Sequence, residues 1–404
     1  MKYINKNFFI EKIKAQNIAK KFGTPIYAYS YKRLKDNIKK FKDNFKSFEP
    51  IICFAVKANS NVDLLREIKK LGVGADVVSI GELMKALKAG ISPKKIVFSG
   101  VGKTPKEIKY AINKKILLLN AESKSEIIEI EKIGKSKNKI IDIGIRLNPN
   151  TDAKTLKQIS TGKRENKFGV DKKTFLQLVK YFKNSKNINL KCLSVHIGSQ
   201  IVDHKPYVKM LRVVDEIINK SNHEFKYIDL GGGMGIPYDK NIKKLDYKKY
   251  NIQINNFLKK HKSKIIFEPG RSIVGDIGIL ISQVTYIKES GPKKFIILDA
   301  GMNDLMRPAL YGAKHQILPV SKINKISKKT YEFVGPICES TDKFSSLKNF
   351  QQLEEKDLII ICDVGAYGAS LSSNYNVRAK PTEVLIKGSK INVIKKRQKL
   401  LDLI

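Results

Sequence analysis

IICFAVKANSNVDLLREIKKLGVGADVVSIGELMKALKAG, residues 51–90, holds one pattern twice. A short apolar run (IICFA) is followed by VDLLREIKKL (62–71), whose apolar residues recur at i, i+3 and i+4; GADVVS (74–79) and IGELMKALKAG (80–90) then repeat the sequence of events. The first kind of segment predicts a buried strand. The second predicts an amphipathic helix, which Gly90 closes. Strands separated by helices predict a parallel sheet, because parallel neighbours need a crossover connection.

The alternation continues outward from this stretch. Further apolar runs are KIVFSG (95–100), KILLLN (115–120), KIIDIGIRLNP (139–149), LKCLSVHIGS (190–199), FKYIDLGGG (225–233) and KIIFEPG (264–270), with helical patterns such as SEIIEIEKIG (125–134) and YVKMLRVVDEIIN (207–219) between them. Eight strand–helix units predict a closed (β/α)8 barrel in preference to an open doubly wound sheet. The runs also end alike. Lys57, Ser79, Ser99, Asn120, Asn148, His196 with Ser199, Gly231–Gly233 and Glu268 place polar or glycine residues on the C-terminal side of each. Barrels of this kind carry their active sites there, so the repeated polar ends predict one shared mouth.

Beyond Gly275 the texture changes. GILISQVTYIKE (278–289), KFIILDAG (294–301), TYEFVGPIC (330–338), DLIIICDVGAYG (357–368), TEVLIKG (382–388) and INVIKK (391–396) are β-rich and joined by turn residues. They predict a separate all-β domain, a sandwich or small barrel. The expected division is a barrel over 29–275 and a β domain over 276–404 joined by 1–28. The segment 150–170 is a long polar gap inside the barrel region, and such loops are commonly functional or mobile.

The chain has 404 residues, 42% of them hydrophobic, which suits a globular protein with a substantial core. No run reaches the ~18 apolar residues of a membrane span, and the N-terminus lacks a signal-peptide pattern. A cytoplasmic location is the expectation. Cys53, Cys192, Cys338 and Cys362 form no CxxC pair, which argues against a zinc site and a disulfide framework. The net charge of +40 raises the question of nucleic acid. Of 78 basic residues only nine are Arg, the favoured reader of phosphates and bases, and the 69 Lys are spread along the whole chain. That is a lysine-coated surface; no nucleic-acid or membrane partner is expected.

Four stretches carry chemistry. Lys57 in AVKAN ends an apolar run, where a lysine can lose its proton and act as a Schiff-base nucleophile. Gly231, Gly232 and Gly233 in YIDLGGGMGIP follow a strand, where bare backbone N–H groups can meet a phosphate; with Ile at 236 this is no dinucleotide fingerprint. Glu268 and Arg271 in FEPGRS offer a carboxylate for a cationic ring nitrogen and a guanidinium for an acidic group. His196 in SVHIGSQ can stack on a flat group or move protons. Together these are the parts of a pyridoxal 5′-phosphate (PLP) site.

At this point the sequence resembles the alanine-racemase-like PLP enzymes, and within them the diaminopimelate decarboxylase family. The motifs are FAVKAN (54–59), GADVVSIGEL (74–83), ENKFGV (165–170), SVHIGSQ (194–200), DLGGGMGIPY (229–238), EPGRSIVG (268–275), DAGMNDLMRPALYGA (299–313), VGPICESTD (334–342) and DVGAYG (363–368). The resemblance implies a barrel-plus-β-domain decarboxylase of meso-2,6-diaminopimelate, giving L-lysine and CO2 in the last step of lysine synthesis. It implies that Lys57 holds the cofactor, that His196 stacks on its ring, and that Glu268 keeps the ring nitrogen protonated. Ser199, Gly231–Gly233 and Tyr367 then surround the phosphate, with Asp76 close behind. Arg271, Arg307, Tyr311 and Tyr367 resemble substrate ligands, with Glu339 reading the distal amino group. The site is completed across a homodimer, where Cys338 and Glu339 come from the neighbouring subunit and Cys338 joins Lys57 and His196 as catalytic. No metal is implied. The alternative is an ornithine/arginine-type basic amino acid decarboxylase. There the partner-subunit Cys is typically followed by Asp, and MRPALY (306–311) is missing.

Overall fold

A computed structural model describes all residues of the chain except 154 and 240. It contains two compact units: Met1–Asn37 with Pro237–Ile242 and Ile273–Ile404, and Ile38–Ile236 with Lys243–Ser272.

Strands are numbered along the chain. A small meander, β1 (Lys2–Ile4), β2 (Asn7–Ile10) and β3 (Ile13–Lys14), is followed by β4 (Ile26–Ser30). The eight apolar runs become β5 (Ile51–Ala55), β6 (Gly74–Val77), β7 (Ile96–Phe98), β8 (Leu118–Ala121), β9 (Ile141–Arg146), β10 (Ile188–Ser194), β11 (Tyr227–Asp229) and β12 (Lys264–Phe267). All neighbours pair in parallel, and β12 pairs with β5 and β9 with β10, so the sheet closes into the expected barrel. Cys53, Val97, Leu118, Cys192, Tyr227 and Ile266 form one buried cluster contributed by six of the strands. Two of the cysteines thus serve as small core hydrophobes, and burial pushes both thiols up, far from reactivity. The crossover helices start on side-chain caps: Asn61 caps Val62–Lys70, Ser79 caps Ile80–Lys88, and Thr104 with Glu107 forms a capping box on Pro105–Lys114.

The segment 150–170 is stitched to the end of β10. Thr161 N–H donates to the Ile197 carbonyl (3.3 Å), and Ser199 N–H donates to the Ile159 carbonyl (3.0 Å). A Cβ on Gly162 would lie 2.9 Å from the Ile197 Cα, so glycine permits this approach.

The other unit is mostly sheet. Its strands are β13 (Gly278–Ser290), β14 (Lys293–Leu298), β15 (Ile317–Pro319), β16 (Thr330–Val334), β17 (Lys343–Leu347), β18 (Leu358–Ile361), β19 (Thr382–Lys387) and β20 (Lys390–Lys395). They form one nine-stranded sheet ordered β17-β16-β14-β13-β4-β19-β20, from which β18 and β15 branch at β13. The N-terminal β4 lies at its centre, antiparallel to β13 and parallel to β19. Its residues alternate as a strand should. Ile26 and Ala28 enter a core with Ile279, Ile281, Val384 and Ile386. Tyr27 donates instead to the Asp304 carbonyl (2.6 Å) and Tyr29 to Glu383 Oε2 (2.8 Å).

Candidate active site

The C-terminal ends of the barrel strands form a polar layer above the apolar cluster. Lys57 follows β5 in a short 3₁₀ turn, and its Nζ is 2.7 Å from Oδ2 of Asp76, which is fully buried on β6. Asp76 Oδ1 is buried without a hydrogen-bond partner. From β11, Asp229 accepts from Asn120 Nδ2 on β8 at 2.9 Å, and a Cβ at Gly144 would come within 2.1 Å of the Asn120 amide oxygen. Glycine on β9 is therefore what admits Asn120 to the barrel interior.

Glu268 follows β12, is 7% exposed, and accepts from Ser99 Oγ at 3.2 Å. Its carboxyl also lies beside that of Asp229. Burial, then the charges of Asp229 and Asp76, push the Glu268 carboxyl well above its usual range, while burial lifts Asp229 to about 6. Three buried acids thus stand together, and a cation placed against Glu268 would relieve their repulsion.

His196, half-buried after β10, is held with its pKa well below normal by desolvation and by the positive charges of Arg146 and Lys57. Gly232 N–H donates to its Nδ1 at 3.2 Å, so the ring is neutral and carries its proton on Nε2. Arg146 is itself buried, paired with Glu122 at 2.9 Å and stacked over Phe168 at 4.8 Å.

The glycine triplet has its N–H groups partly engaged within the protein. Gly231 N–H goes to Asp229 Oδ1 (2.9 Å) and Gly232 N–H to His196, so two of the three donors serve the protein itself. What the triplet provides is close approach. Added Cβ atoms would lie 2.6 Å from His196 Nδ1 at Gly231, 2.1 Å from the Glu268 carbonyl at Gly232 and 2.3 Å from the Gly198 carbonyl at Gly233. Nearby, Arg271 Nη2 donates to Ser199 Oγ at 3.1 Å. The barrel therefore brings together Lys57, Asp76, His196, Ser199, Gly231–Gly233, Glu268 and Arg271. Asp229 escaped sequence reasoning because it reads as the start of a glycine motif; the signal was its i, i+2 relation to the core residue Tyr227, which puts both on one face.

The remaining candidates belong to the β unit. Arg307 is 5% exposed and Tyr311 half-buried, at the two ends of the short helix Arg307–Tyr311. Tyr367 has φ 57°, an uncommon conformation for a bulky residue. Cys338 and Glu339 are exposed. Glu339 accepts from Thr341 Oγ1 at 3.1 Å and from the hydroxyl of Tyr375, a residue the sequence had not flagged.

The donor set of the barrel mouth suits pyridoxal phosphate: an amine at a strand end, a buried acid for a cationic nitrogen and a neutral imidazole to stack. Residues 31–275 match the family model of the pyridoxal binding domain of pyridoxal-dependent decarboxylases, which defines the class and its cofactor. A diaminopimelate decarboxylase of Aquifex aeolicus is 39% identical over 98% of this chain and 95% of its own length. The crystal structure of diaminopimelate decarboxylase from Helicobacter pylori complexed with L-lysine superposes with a TM-score of 0.91 at 43% identity, covering 96% of this chain and 98% of the other. That of the M. jannaschii enzyme, also with L-lysine, gives 0.93 at 37% identity, covering 99% and 95%. The chain belongs to the diaminopimelate decarboxylase family. Among the described residues no helix is long and apolar enough to cross a membrane.

Proposed function

We propose that this chain removes one carboxyl group of meso-2,6-diaminopimelate, releasing CO2 and leaving L-lysine, as a cytoplasmic homodimer with no nucleic-acid role. The observation that carries the reading is Lys57 held at 2.7 Å by a buried Asp76, in the same mouth as the buried acid Glu268. Pyridoxal phosphate, when bound, withdraws electrons from the bond to the departing carboxylate. The protein's part is to hold that chemistry in place. Asp76 steadies the Lys57 amine. His196, neutral, offers a flat face without a charge of its own. Glu268, whose burial makes a lone negative charge costly, favours a cation beside it. Racemases of the wider class place Arg there; a Glu favours decarboxylation.

Arg271, Arg307, Tyr311 and Tyr367 are the proposed ligands of substrate carboxylates. Cys338 of the partner subunit and Glu339 of the partner subunit complete the site, the former among the catalytic residues and the latter reading the distal amine. The test is CO2 release from holoenzyme given diaminopimelate, L-ornithine or L-lysine. A site built to hydrogen-bond a distal amino-carboxylate leaves polar groups unpaired when it is missing, so the shorter substrates should be at least ~10³-fold worse in kcat/KM. Equal turnover of ornithine moves the assignment to the ornithine/arginine-type decarboxylases.

A further inference from the structure

We infer that His315 is a positioning residue that orients the Arg307 guanidinium and thereby sets the affinity for the carboxylate at the far end of the substrate. The inference rests on the proposed role of Arg307. A long, rotamer-rich side chain points one way only when held on more than one side. Arg307 is held on its face by Tyr238, whose ring centroid is 4.5 Å from the guanidinium carbon. It is held on its edge by His315, whose Nε2 is 2.8 Å from Arg307 Nη1.

The histidine is fixed in turn. Its Nδ1 is 2.7 Å from the Cys362 carbonyl oxygen. A carbonyl only accepts, so Nδ1 carries the proton. A guanidinium only donates, so Nε2 presents its lone pair. The two contacts select one neutral tautomer. Cys362 follows β18, and its N–H donates to the Gln316 carbonyl at 2.9 Å, one residue past His315 and beside the β15–β18 pairing. The line of support runs from paired strands to imidazole to guanidinium. A carboxylate in the imidazole's place would also orient Arg307 but would offset its charge. A neutral acceptor orients it and adds no negative charge of its own to offset that of the guanidinium.

The experiment is calorimetric titration of holoenzyme with L-lysine, which keeps the far carboxylate, and with 1,5-diaminopentane, which lacks it, alongside kinetics with diaminopimelate. Losing a hydrogen bond to a charged group predicts that His315→Leu binds L-lysine about 10–100-fold more weakly, with diaminopentane within about twofold. KM for diaminopimelate should rise by a similar factor, while kcat changes by less than about threefold. His315→Gln, whose amide oxygen can accept from the guanidinium without titrating, should recover most of the L-lysine affinity. Equal weakening of both ligands in His315→Leu, or unchanged L-lysine binding, would overturn the inference. Wild-type protein that neither binds L-lysine nor decarboxylates diaminopimelate would instead bring down the reading of function beneath it.

Discussion

The barrel mouth and the rim of the β unit manage charge in opposite ways. In the mouth, Asp76 and Asp229 are fully buried and Glu268 nearly so, and each is held by groups from other barrel strands: Lys57, Asn120 and Ser99. On the rim, Cys338 and Glu339 are exposed, and the Glu339 carboxylate is held by Thr341 and Tyr375, themselves exposed. A buried charge must be provided for by the fold that buries it. An exposed one can be oriented by a few neighbours and left in water. The acids of the barrel mouth are thus held within one barrel. Of the residues proposed to read the far end, Glu339 is exposed on the β unit, whereas Arg307 is buried there.

The strongest test of the barrel half is Lys57→Ala, expected to lower turnover to background while circular dichroism stays unchanged. A surviving borohydride-reducible adduct on that variant would assign the amine to another lysine. Glu268→Gln should cost on the order of 10²-fold in kcat, as loss of a preorganised electrostatic group does. Near-normal turnover would mean that the ring nitrogen is served elsewhere. The rim half is sharpened by mixing. Lys57→Ala and Cys338→Ala chains, each inactive, should regain up to about a quarter of wild-type activity when subunits exchange, because half the dimers are mixed and each mixed dimer has one intact site. No recovery after confirmed exchange would place Cys338 in its own subunit's site.

The smallest effect is on stability without the cofactor. Glu268 lies above, and Asp229 at about 6, the range near 4 of an unfolded carboxyl. The folded apoprotein then holds extra protons between those values. The associated stability is present below about pH 4 and is lost as pH rises toward 6, by up to about 3 kcal/mol for Asp229. Urea denaturation of apoprotein across that window should show the decline, and Asp229→Asn should flatten it.

Much of this was legible in advance because barrel strands are short, buried and bounded by polar ends. Each of the eight runs could be read locally, and Lys57, His196 and Glu268 announced themselves at strand ends. The relations between distant strands were not legible. That Gly144 exists to admit Asn120, or that Gly232 lets Glu268 close on the glycine loop, depends on pairs brought together only by barrel closure. His315 gave no sign either, since its partners Arg307 and Cys362 meet it through sheet pairing. The place of β4 was hidden for the same reason: a five-residue apolar strand near the N-terminus carries no mark of neighbours hundreds of positions away.

That last arrangement imposes an order on synthesis. β4 ends at Ser30, its antiparallel neighbour begins at Gly278, and its parallel neighbour begins only at Thr382 of 404. A ribosome adding about 5–20 residues per second takes roughly 12–50 s to cover the first gap. The barrel strands emerge within that interval and can close around one another. The fully buried strand IYAYS meanwhile waits with both edges unpaired, an open template for any other extended chain. The nascent chain is therefore most exposed to chaperones, and to its own neighbours on a polysome, at its oldest end.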